Sequence, residues 1–297
     1  MHYIVLGGGI SPEHAVSKRS AQAFQEALEE LGHAVTPLDP AEVSLEEIIT
    51  QGHASDGVFP VLHGVGGEDG VIQKALEDAG IPYFGPDSEA CRLTLDKTLF
   101  KKILEEHNLP TPAWNLIAAD ELADEPLTKA PFVLKPYDGG SSIDTFIVRS
   151  IPYDSAPLLE ALERHGRMLI EQLIEGDEVT VGILGDEALP VIEIIPPKDQ
   201  EFDYENKYNG ATAELCPPVH VNETLQQKAQ ALALAVHKAT GCRHLSRTDI
   251  MINDAGELYI IDTNTLPGLT GQSLYPKAAA EAGYGWAQLV QRFASLV

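Results

Sequence analysis

Apolar and polar residues alternate with two different periods over the first 86 residues of the chain. Short apolar runs at 3–6 and 58–62 predict strands, whereas amphipathic stretches at 17–31 and 71–79, each closed by a glycine, predict helices. Strands that alternate with helices are typical of a βαβ unit with a parallel sheet. A run of turn-forming residues then ends this unit.

The pattern changes in the rest of the chain. The apolar runs predict strands at 132–135, 145–148, 168–171, 179–184, 191–195, 245–252 and 258–261. The amphipathic stretches predict helices at 88–107, 156–164 and 225–240. This order favours sheets packed with helices, so we expect an α/β and α+β protein in three domains, at 1–86, 87–172 and 173–297.

Charge and composition exclude several classes of partner. The chain of 297 residues has a formal net charge of −25, from 45 acidic and 20 basic side chains, which would repel nucleic acid and anionic membranes. No apolar run could span a membrane, and the start of the chain predicts a first strand rather than a signal peptide. Three distant cysteines without a CxxC pair favour reduced thiols and a cytoplasmic location.

Two glycine-rich segments follow predicted strands. Glycines 7–9 would suit a dinucleotide-binding GxGxxG motif, but that motif needs glycine where Pro12 stands, so a tight turn displaying residues 11–14 is favoured. The segment at 63–70 has four glycines and predicts an irregular backbone that could bind a carboxylate. For His63, a helix-entry hydrogen bond and a functional role are equally compatible with the spacing.

Oxygen-bearing side chains fall on two neighbouring predicted strands. Asp249 lies on the first, and Asp262 and Asn264 lie on the second, so their oxygens could converge. Carboxylate and amide oxygens suit Mg²⁺, and Mn²⁺ is also possible. The alternative is a pair of surface acids, but the apolar flank at 260–261 indicates burial, where an unpaired carboxylate is costly.

Two lysines are candidate ligands of phosphate groups. Lys97 lies on the first helix of the second domain, and Lys135 ends an apolar strand. Ser141 and Ser142, in the Gly/Ser loop at 138–142 that could form a flap, would cover the phosphates. For Lys97 alone, a solvated position on the helix face is the ordinary alternative.

Several separated motifs, in collinear order, carry a family resemblance. They lie at 11–14, 63–70, 95–97, 135–136, 140–142, 202–208, 247–249 and 264–268. Together they resemble the D-alanine:D-alanine ligase family. The resemblance implies an ATP-grasp fold with ATP and Mg²⁺ between the second and third domains, D-alanine as the substrate, and a homodimer.

The resemblance also implies a role for each matching residue. The residues implied to bind nucleotide are Lys97, Lys135, Ser142, Glu171 and Glu178. Those implied to hold the first D-alanine are Glu13, Ser141 and Tyr208, and those implied to receive the second are Ser273 and Leu274. Lys207 is also implied to bind substrate, and His63 to assist deprotonation. Arg247 and Gly268 would stabilise the oxyanion, and a polar loop at 198–209 would close over the site.

Four positions depart from the family pattern. Asp262 replaces a usual glutamate, Asp144 a glycine, Ala15 a glutamate and Val65 a basic residue. An acid at Asp144 would be repelled by phosphates unless it points to solvent.

Two other functions remain compatible with these residues. One is an ATP-grasp ligase with another acceptor, such as D-serine or a hydroxy acid, and the other is a degenerate paralogue that only binds nucleotide. Tyr208 favours D-alanine because lactate-using relatives place histidine there.

Overall fold

The computed structural model describes residues 1–140, 143–197 and 212–297. Its strands are β1 (His2–Leu6), β2 (Ala34–Leu38), β3 (Gly57–Pro60), β4 (Trp114–Ile117), β5 (Phe132–Lys135), β6 (Phe146–Val148), β7 (Met168–Gln172), β8 (Asp177–Leu184), β9 (Glu187–Ala188), β10 (Ile192–Ile195), β11 (Ala213–Leu215), β12 (Leu245–Ile252) and β13 (Leu258–Asn264). Its α-helices are α1 (His14–Glu30), α2 (Leu45–His53), α3 (Val71–Asp78), α4 (Ser88–Leu95), α5 (Lys97–Glu106), α6 (Ala156–His165), α7 (Glu223–Ala239), α8 (Leu274–Glu281) and α9 (Trp286–Ala294). Two short 3₁₀ helices lie at Ala119–Glu121 and Pro126–Lys129.

Three sheets organise these elements. The first sheet is parallel, in the order β2-β1-β3, which confirms the predicted βαβ unit. The second is antiparallel, in the order β4-β7-β5-β6. The third is also antiparallel, in the order β11-β10-β8-β12-β13, with β9 paired to β8. The predicted mixture of α/β and α+β structure is therefore confirmed.

The predicted helix at 88–107 is in fact two helices. Asp96 adopts an extended backbone, with φ −75° and ψ 98°, and ends α4. Its carboxylate accepts hydrogen bonds from the backbone N–H groups of Thr98 and Leu99, at 2.9 and 3.2 Å, and so caps α5. The break makes Lys97 the first residue of α5, where its backbone N–H donates to the Tyr137 carbonyl at 2.7 Å.

Apolar packing joins the first and last parts of the chain. Phe24 of α1 and Phe59 of β3 share one buried cluster with Phe293 of α9. A second cluster packs Phe100 of α5 against Ile260 of β13. Burial of this apolar area is the main force that fixes the sheets around the space between them. Within the described ranges, no helix is long and apolar enough to cross a membrane.

A polar clasp adds to this packing at the turn after the first sheet. The backbone N–H of Gly85 donates to His244 Nδ1 at 3.0 Å, so that nitrogen must be unprotonated. The His244 ring stacks on Phe84 with centroids 5.4 Å apart, and Arg243 Nε donates to the Gly85 carbonyl at 2.9 Å. His244 has φ +66°, a left-handed conformation that few side chains adopt.

The clasp predicts a specific pH dependence. Burial, with Arg243 and His237 nearby, lowers the pKa of His244 to about 4, from an ordinary value of 6.5. A His244→Asn variant, which tolerates left-handed backbone, should be about 0.5–1.5 kcal/mol less stable above pH 7, because it loses the ring that stacks on Phe84 while its amide oxygen can still accept from the Gly85 N–H. The difference should shrink as the pH falls through 6.5 towards 4, because the unfolded wild-type chain then takes up a proton that the folded ring excludes.

Denaturant unfolding of both proteins across this pH range would measure the difference. His53→Asn, at an exposed position, is the matched control. Wild-type and His244→Asn curves that stay parallel would contradict the clasp.

Candidate active site

A cavity of about 950 Å³ opens between the second and third sheets. Strands from both sheets line it, with Lys135 of β5 and Glu171 of β7 on one side and Glu178 of β8 and Met251 of β12 on the other. The predicted site residues that line this cavity are Lys97, Lys135, Glu171, Glu178, Arg247, Asp249, Asp262 and Asn264.

Three buried charges form an ion network on the wall of this cavity. The Glu171 carboxylate is 2% exposed and contacts two ammonium groups: Oε1 pairs with Lys135 Nζ, and Oε2 lies 2.6 Å from Lys101 Nζ. Burial opposes ionisation of Glu171, but Lys101 and Lys135 outweigh it and lower the pKa of the carboxyl to about 2. Glu171 is therefore a permanent anion between two cations.

A second ion pair crosses from α5 to β13. Lys97 Nζ lies 3.3 Å from Asp262 Oδ2 and donates to the Gly139 carbonyl at 2.9 Å. The alternative of a solvated Lys97 is wrong, because this residue is only 6% exposed. Its ammonium instead lines the cavity beside the start of the Gly/Ser loop.

A third pair lies on β12. Arg247 Nε and Nη2 donate to the two carboxylate oxygens of Asp249, each at 3.0 Å. Burial would lower the pKa of Arg247, but Asp249 outweighs it and raises that pKa above its ordinary value. Thr180 also donates to Asp249 Oδ1, at 2.5 Å, and Asn264 Nδ2 donates to Oδ2 at 3.4 Å. The guanidinium is thus fixed, charged and oriented along the cavity wall.

Strand register brings the predicted metal ligands together. Asp249 pairs directly with Asp262, and Arg247 pairs with Asn264 across the β12–β13 ladder. All four line the same cavity. Two carboxylates and one amide oxygen are hard donors, so their chemistry fits Mg²⁺. Among the described residues no group of three or more His, Cys, Asp and Glu side chains could hold a metal.

The second glycine-rich segment contacts the loop after β13. His63 Nδ1 donates to the Leu266 carbonyl at 3.1 Å, and the Leu266 N–H donates to Glu68 Oε1 at 3.1 Å. The helix-entry alternative for His63 is therefore wrong. Glu68 Oε2 also accepts from the Gly64 N–H at 2.8 Å. The irregular backbone is confirmed, with φ of +65° at Gly64 and +86° at Gly70.

Both of these side chains have shifted pKa values. Burial lowers the pKa of His63, with Glu13 opposing and Arg247 reinforcing the shift. Among the described residues its Nε2 has no hydrogen-bond partner. Burial, reinforced by Glu13 and opposed by the backbone bonds, raises the pKa of Glu68 to about 7. A neutral imidazole and a carboxyl that titrates near pH 7 therefore lie side by side.

The first glycine run holds Glu13 near these groups. Asp39 accepts hydrogen bonds from the Gly9 N–H at 2.9 Å and from His14 Nε2 at 3.0 Å, which supports the tight turn. These bonds and Lys18 lower the pKa of Asp39 despite its burial. A Cβ added at Gly64 would lie 3.5 Å from Glu13 Oε2, so the carboxylate packs against the second glycine segment.

The loop after β13 ends at the start of α8. Ser273 precedes this helix, and its Oγ lies 2.8 Å from Thr270 Oγ1. A Cβ added at Gly268 would lie 2.8 Å from the same Oγ, so a side chain there would displace Ser273. Leu274 is buried. Gly268 and Ser273 are thus adjacent.

Some predicted residues and one departure need separate mention. Ser141, Ser142, Lys207 and Tyr208, with the loop at 198–209, lie outside the described residues. Asp144 has φ +54°, and its carboxylate pairs with Arg164 at 2.9 Å and His165 at 2.8 Å at the end of α6. Asp144 is therefore paired within its own domain, at the position where the resemblance implies glycine.

Sequence reasoning missed three residues of the site. Lys101 follows Lys97 by one helical turn, and that spacing was the available signal. Glu68 lies inside a recognised motif without an assigned role. Asp39 follows β2, a strand that the apolar pattern did not predict.

Two family profiles match the chain. The profile described as "D-ala D-ala ligase N-terminus" matches residues 41–86, and "D-ala D-ala ligase C-terminus" matches residues 103–295. The chain is 40% identical to the D-alanine–D-alanine ligase of Nitratidesulfovibrio vulgaris strain DP4, over all of this chain and 98% of that protein. It is 41% identical to the same ligase of Oleidesulfovibrio alaskensis, over 100% and 96%.

Solved structures give the same result. The D-alanine–D-alanine ligase of Bacillus anthracis complexed with ATP superimposes with a TM-score of 0.84, at 30% identity, over 100% of this chain and 97% of that chain. A second structure of the Bacillus anthracis ligase gives a TM-score of 0.83 at 31% identity, over the same shares. This chain belongs to the D-alanine–D-alanine ligase family and has its ATP-grasp fold.

Proposed function

We propose that this protein joins two D-alanines into D-alanyl-D-alanine and converts ATP to ADP and phosphate. The observation that carries the proposal is the convergence of three ion pairs, built on Lys97, Lys135 and Arg247, at one cavity. The names of the relatives and the ATP complex of the Bacillus anthracis ligase support this choice of substrates.

The nucleotide would lie between the second and third sheets. Lys97 and Lys135 carry the positive charge that phosphates require, and each is held by a carboxylate. Glu178 faces the same cavity from β8, where it would bind the ribose hydroxyls. Ser142 would cover the phosphates from the flap.

Asp249, Asp262 and Asn264 would hold Mg²⁺. When bound, the ion neutralises charge on the phosphate oxygens. Asp262 also pairs with Lys97, so one carboxylate serves both a lysine and the metal site.

The first D-alanine would be held near the first glycine run. Glu13 would bind its ammonium, in a network with Ser141 and Tyr208. A carboxylate oxygen of this bound D-alanine attacks the γ-phosphorus, ADP leaves, and an acylphosphate forms. Lys97 and Lys135 act here by stabilising charge that spreads over the phosphate oxygens.

The second D-alanine must attack as a neutral amine. Ser273 and Leu274 would receive it, and Lys207 would also bind substrate. Because His63 donates from Nδ1 to the Leu266 carbonyl, its Nε2 carries the lone pair and can accept the proton. The lowered pKa of His63 keeps this ring in the basic, neutral form.

Attack of the amine on the acyl carbon gives a tetrahedral oxyanion. Arg247 and the backbone N–H of Gly268 would stabilise it, and phosphate then leaves with one oxygen of the original carboxylate. Water must be kept out because an acylphosphate hydrolyses, and the predicted loop at 198–209 would serve this purpose.

The proposal also covers the domains, the use of the product and the oligomeric state. The three sheets support domains at 1–86, 87–172 and 173–297, since no sheet exchanges strands across these bounds in the described residues. The product would serve as a precursor of cell-wall peptidoglycan in the cytoplasm, where the three unpaired cysteines stay reduced. A homodimer stays a prediction of the resemblance, and light scattering would test it.

An amino-acid panel tests the proposed reaction. Purified protein with ATP, Mg²⁺ and D-alanine should release phosphate and form one dipeptide per phosphate. D-serine, D-lactate and L-alanine are the comparison acceptors. Product with one of these and none with D-alanine would overturn the substrate, and nucleotide binding without turnover across the panel would overturn the enzyme.

Replacement of Arg247 tests the oxyanion site. Arg247→Ala should lower kcat by about 10²- to 10³-fold, or roughly 3–4 kcal/mol, while ATP still binds. Arg167→Ala is the matched control, because Arg167 is half exposed and pairs only with Glu121 and the Leu116 carbonyl among the described residues. Near-normal turnover of Arg247→Ala would refute this role.

Replacement of Asp262 tests the metal site. Asp262→Asn replaces a charged carboxylate donor with a neutral amide oxygen, so the Mg²⁺ concentration that gives half-maximal ATP binding should rise about tenfold or more. Calorimetric titration of ATP at several Mg²⁺ concentrations measures this shift. Asp254→Asn, in the exposed turn between β12 and β13, removes the same charge and should change nothing. Equal Mg²⁺ dependence in all three proteins would rule out Asp262 as a ligand.

A further inference from the structure

We propose that Lys101 is a positioning residue, which holds the Glu171 carboxylate and through it orients the Lys135 ammonium towards the nucleotide. Lys101 itself does not touch the nucleotide. This inference rests on the proposed binding of ATP in the cavity, and it assigns a part of that site to a residue outside it.

Lys101 differs from Lys135 and Glu171 in that it does not line the cavity. Among the described residues that line the cavity, Lys135 and Glu171 are present and Lys101 is not. Lys101 is 0% exposed, so it is shielded from solvent and from any ligand. An ammonium at such a depth is expensive unless it is paired, and burial lowers the pKa of Lys101 although Glu171 opposes this. The fold keeps this cost in place beside the site.

Each partner of Lys101 fixes it in one geometry. Its Nζ lies 2.6 Å from Glu171 Oε2 and donates to Thr111 Oγ1, also at 2.6 Å. Thr111 in turn donates to the Ile260 carbonyl at 3.0 Å, and the Ile260 N–H donates to the Pro110 carbonyl at 2.9 Å. Lys101 therefore ties β7 of the second sheet to β13 of the third, two residues before Asp262.

Charge balance explains why a second lysine is needed. Glu171 and Lys135 alone would be a neutral pair, and the carboxylate would compete with phosphate for the ammonium of Lys135. Lys101 adds a positive charge and occupies Oε2, so that Oε1 remains for Lys135. The three groups together carry one net positive charge, and Lys135 is the lysine of this network that lines the cavity.

Removal of the Lys101 charge tests this role. In Lys101→Met the side chain keeps its length and loses its charge, so Glu171 can neutralise Lys135. We expect ATP to bind about 10- to 100-fold more weakly, while the KM for D-alanine at saturating ATP changes less than about threefold. Lys102→Met, one residue away and exposed, is the matched control and should bind ATP as the wild type does.

A second background separates positioning from support of the fold. If Lys101 acts through Glu171, then Lys101→Met should cost less than about twofold in ATP affinity once Glu171→Gln is already present. This comparison removes both buried charges, so it also serves if Lys101→Met alone does not fold. Far-ultraviolet circular dichroism and thermal melting would establish folding for each protein.

The outcomes are distinct. A folded Lys101→Met that binds ATP within twofold of the wild type would overturn the inference. So would a further loss of more than fivefold on adding Lys101→Met to Glu171→Gln, or an equal loss in ATP and D-alanine binding. Failure of the wild-type protein to bind ATP at all would instead overturn the proposed function.

Discussion

Glu171, shared between two buried lysines, is the interaction on which the rest of the site depends. A chain with a net charge of −25 must collect positive charge where phosphates would bind, and it has only 20 basic residues for this. It does so by burying cations beside carboxylates, because in a low-dielectric wall such pairs are strongly oriented. The ion pairs of Lys97 with Asp262 and of Arg247 with Asp249 repeat the same arrangement, but they are less deeply buried.

This charge arrangement is coupled to the first sheet through the backbone of one residue, Leu266. The carbonyl and N–H of Leu266 are both bound by side chains of the glycine-rich segment, His63 and Glu68. The loop after β13 therefore connects three parts of the protein: β13 with the proposed metal ligands Asp262 and Asn264, the proposed acceptor site, and the first sheet. Apolar packing of Phe24 against Phe293 holds the same parts together from behind. The proposed phosphate-binding and amine-binding sites are thus joined by the backbone at Leu266.

The sequence predicted the features that depend on local pattern. Period and turn residues sufficed for the βαβ unit and for most strands, and the separated motifs included Lys135 and Asp249, which line one cavity. It could not predict the break at Asp96, because a capping aspartate inside a long amphipathic stretch is compatible with one helix or two. β2 was missed because its residues are only partly buried and include Pro37.

The remaining gaps concern partners that are distant in sequence. Lys101 resembles any helix-surface lysine until Glu171, 70 residues later, is placed beside it. The environment of Asp144 likewise depends on α6 and could not follow from a single substituted position. Burial and pairing of charges are properties of the assembled fold, so sequence pattern alone does not determine them.

In the proposed reaction, the cavity activates a carboxylate by phosphoryl transfer from ATP. Turnover of D-alanine labelled with ¹⁸O in its carboxylate tests this claim directly. Mass spectrometry of the released phosphate should show one ¹⁸O atom per molecule, because the carboxylate oxygen that attacks the γ-phosphorus leaves with it. Dipeptide formation with unlabelled phosphate would show that the carboxylate of D-alanine does not attack the γ-phosphorus.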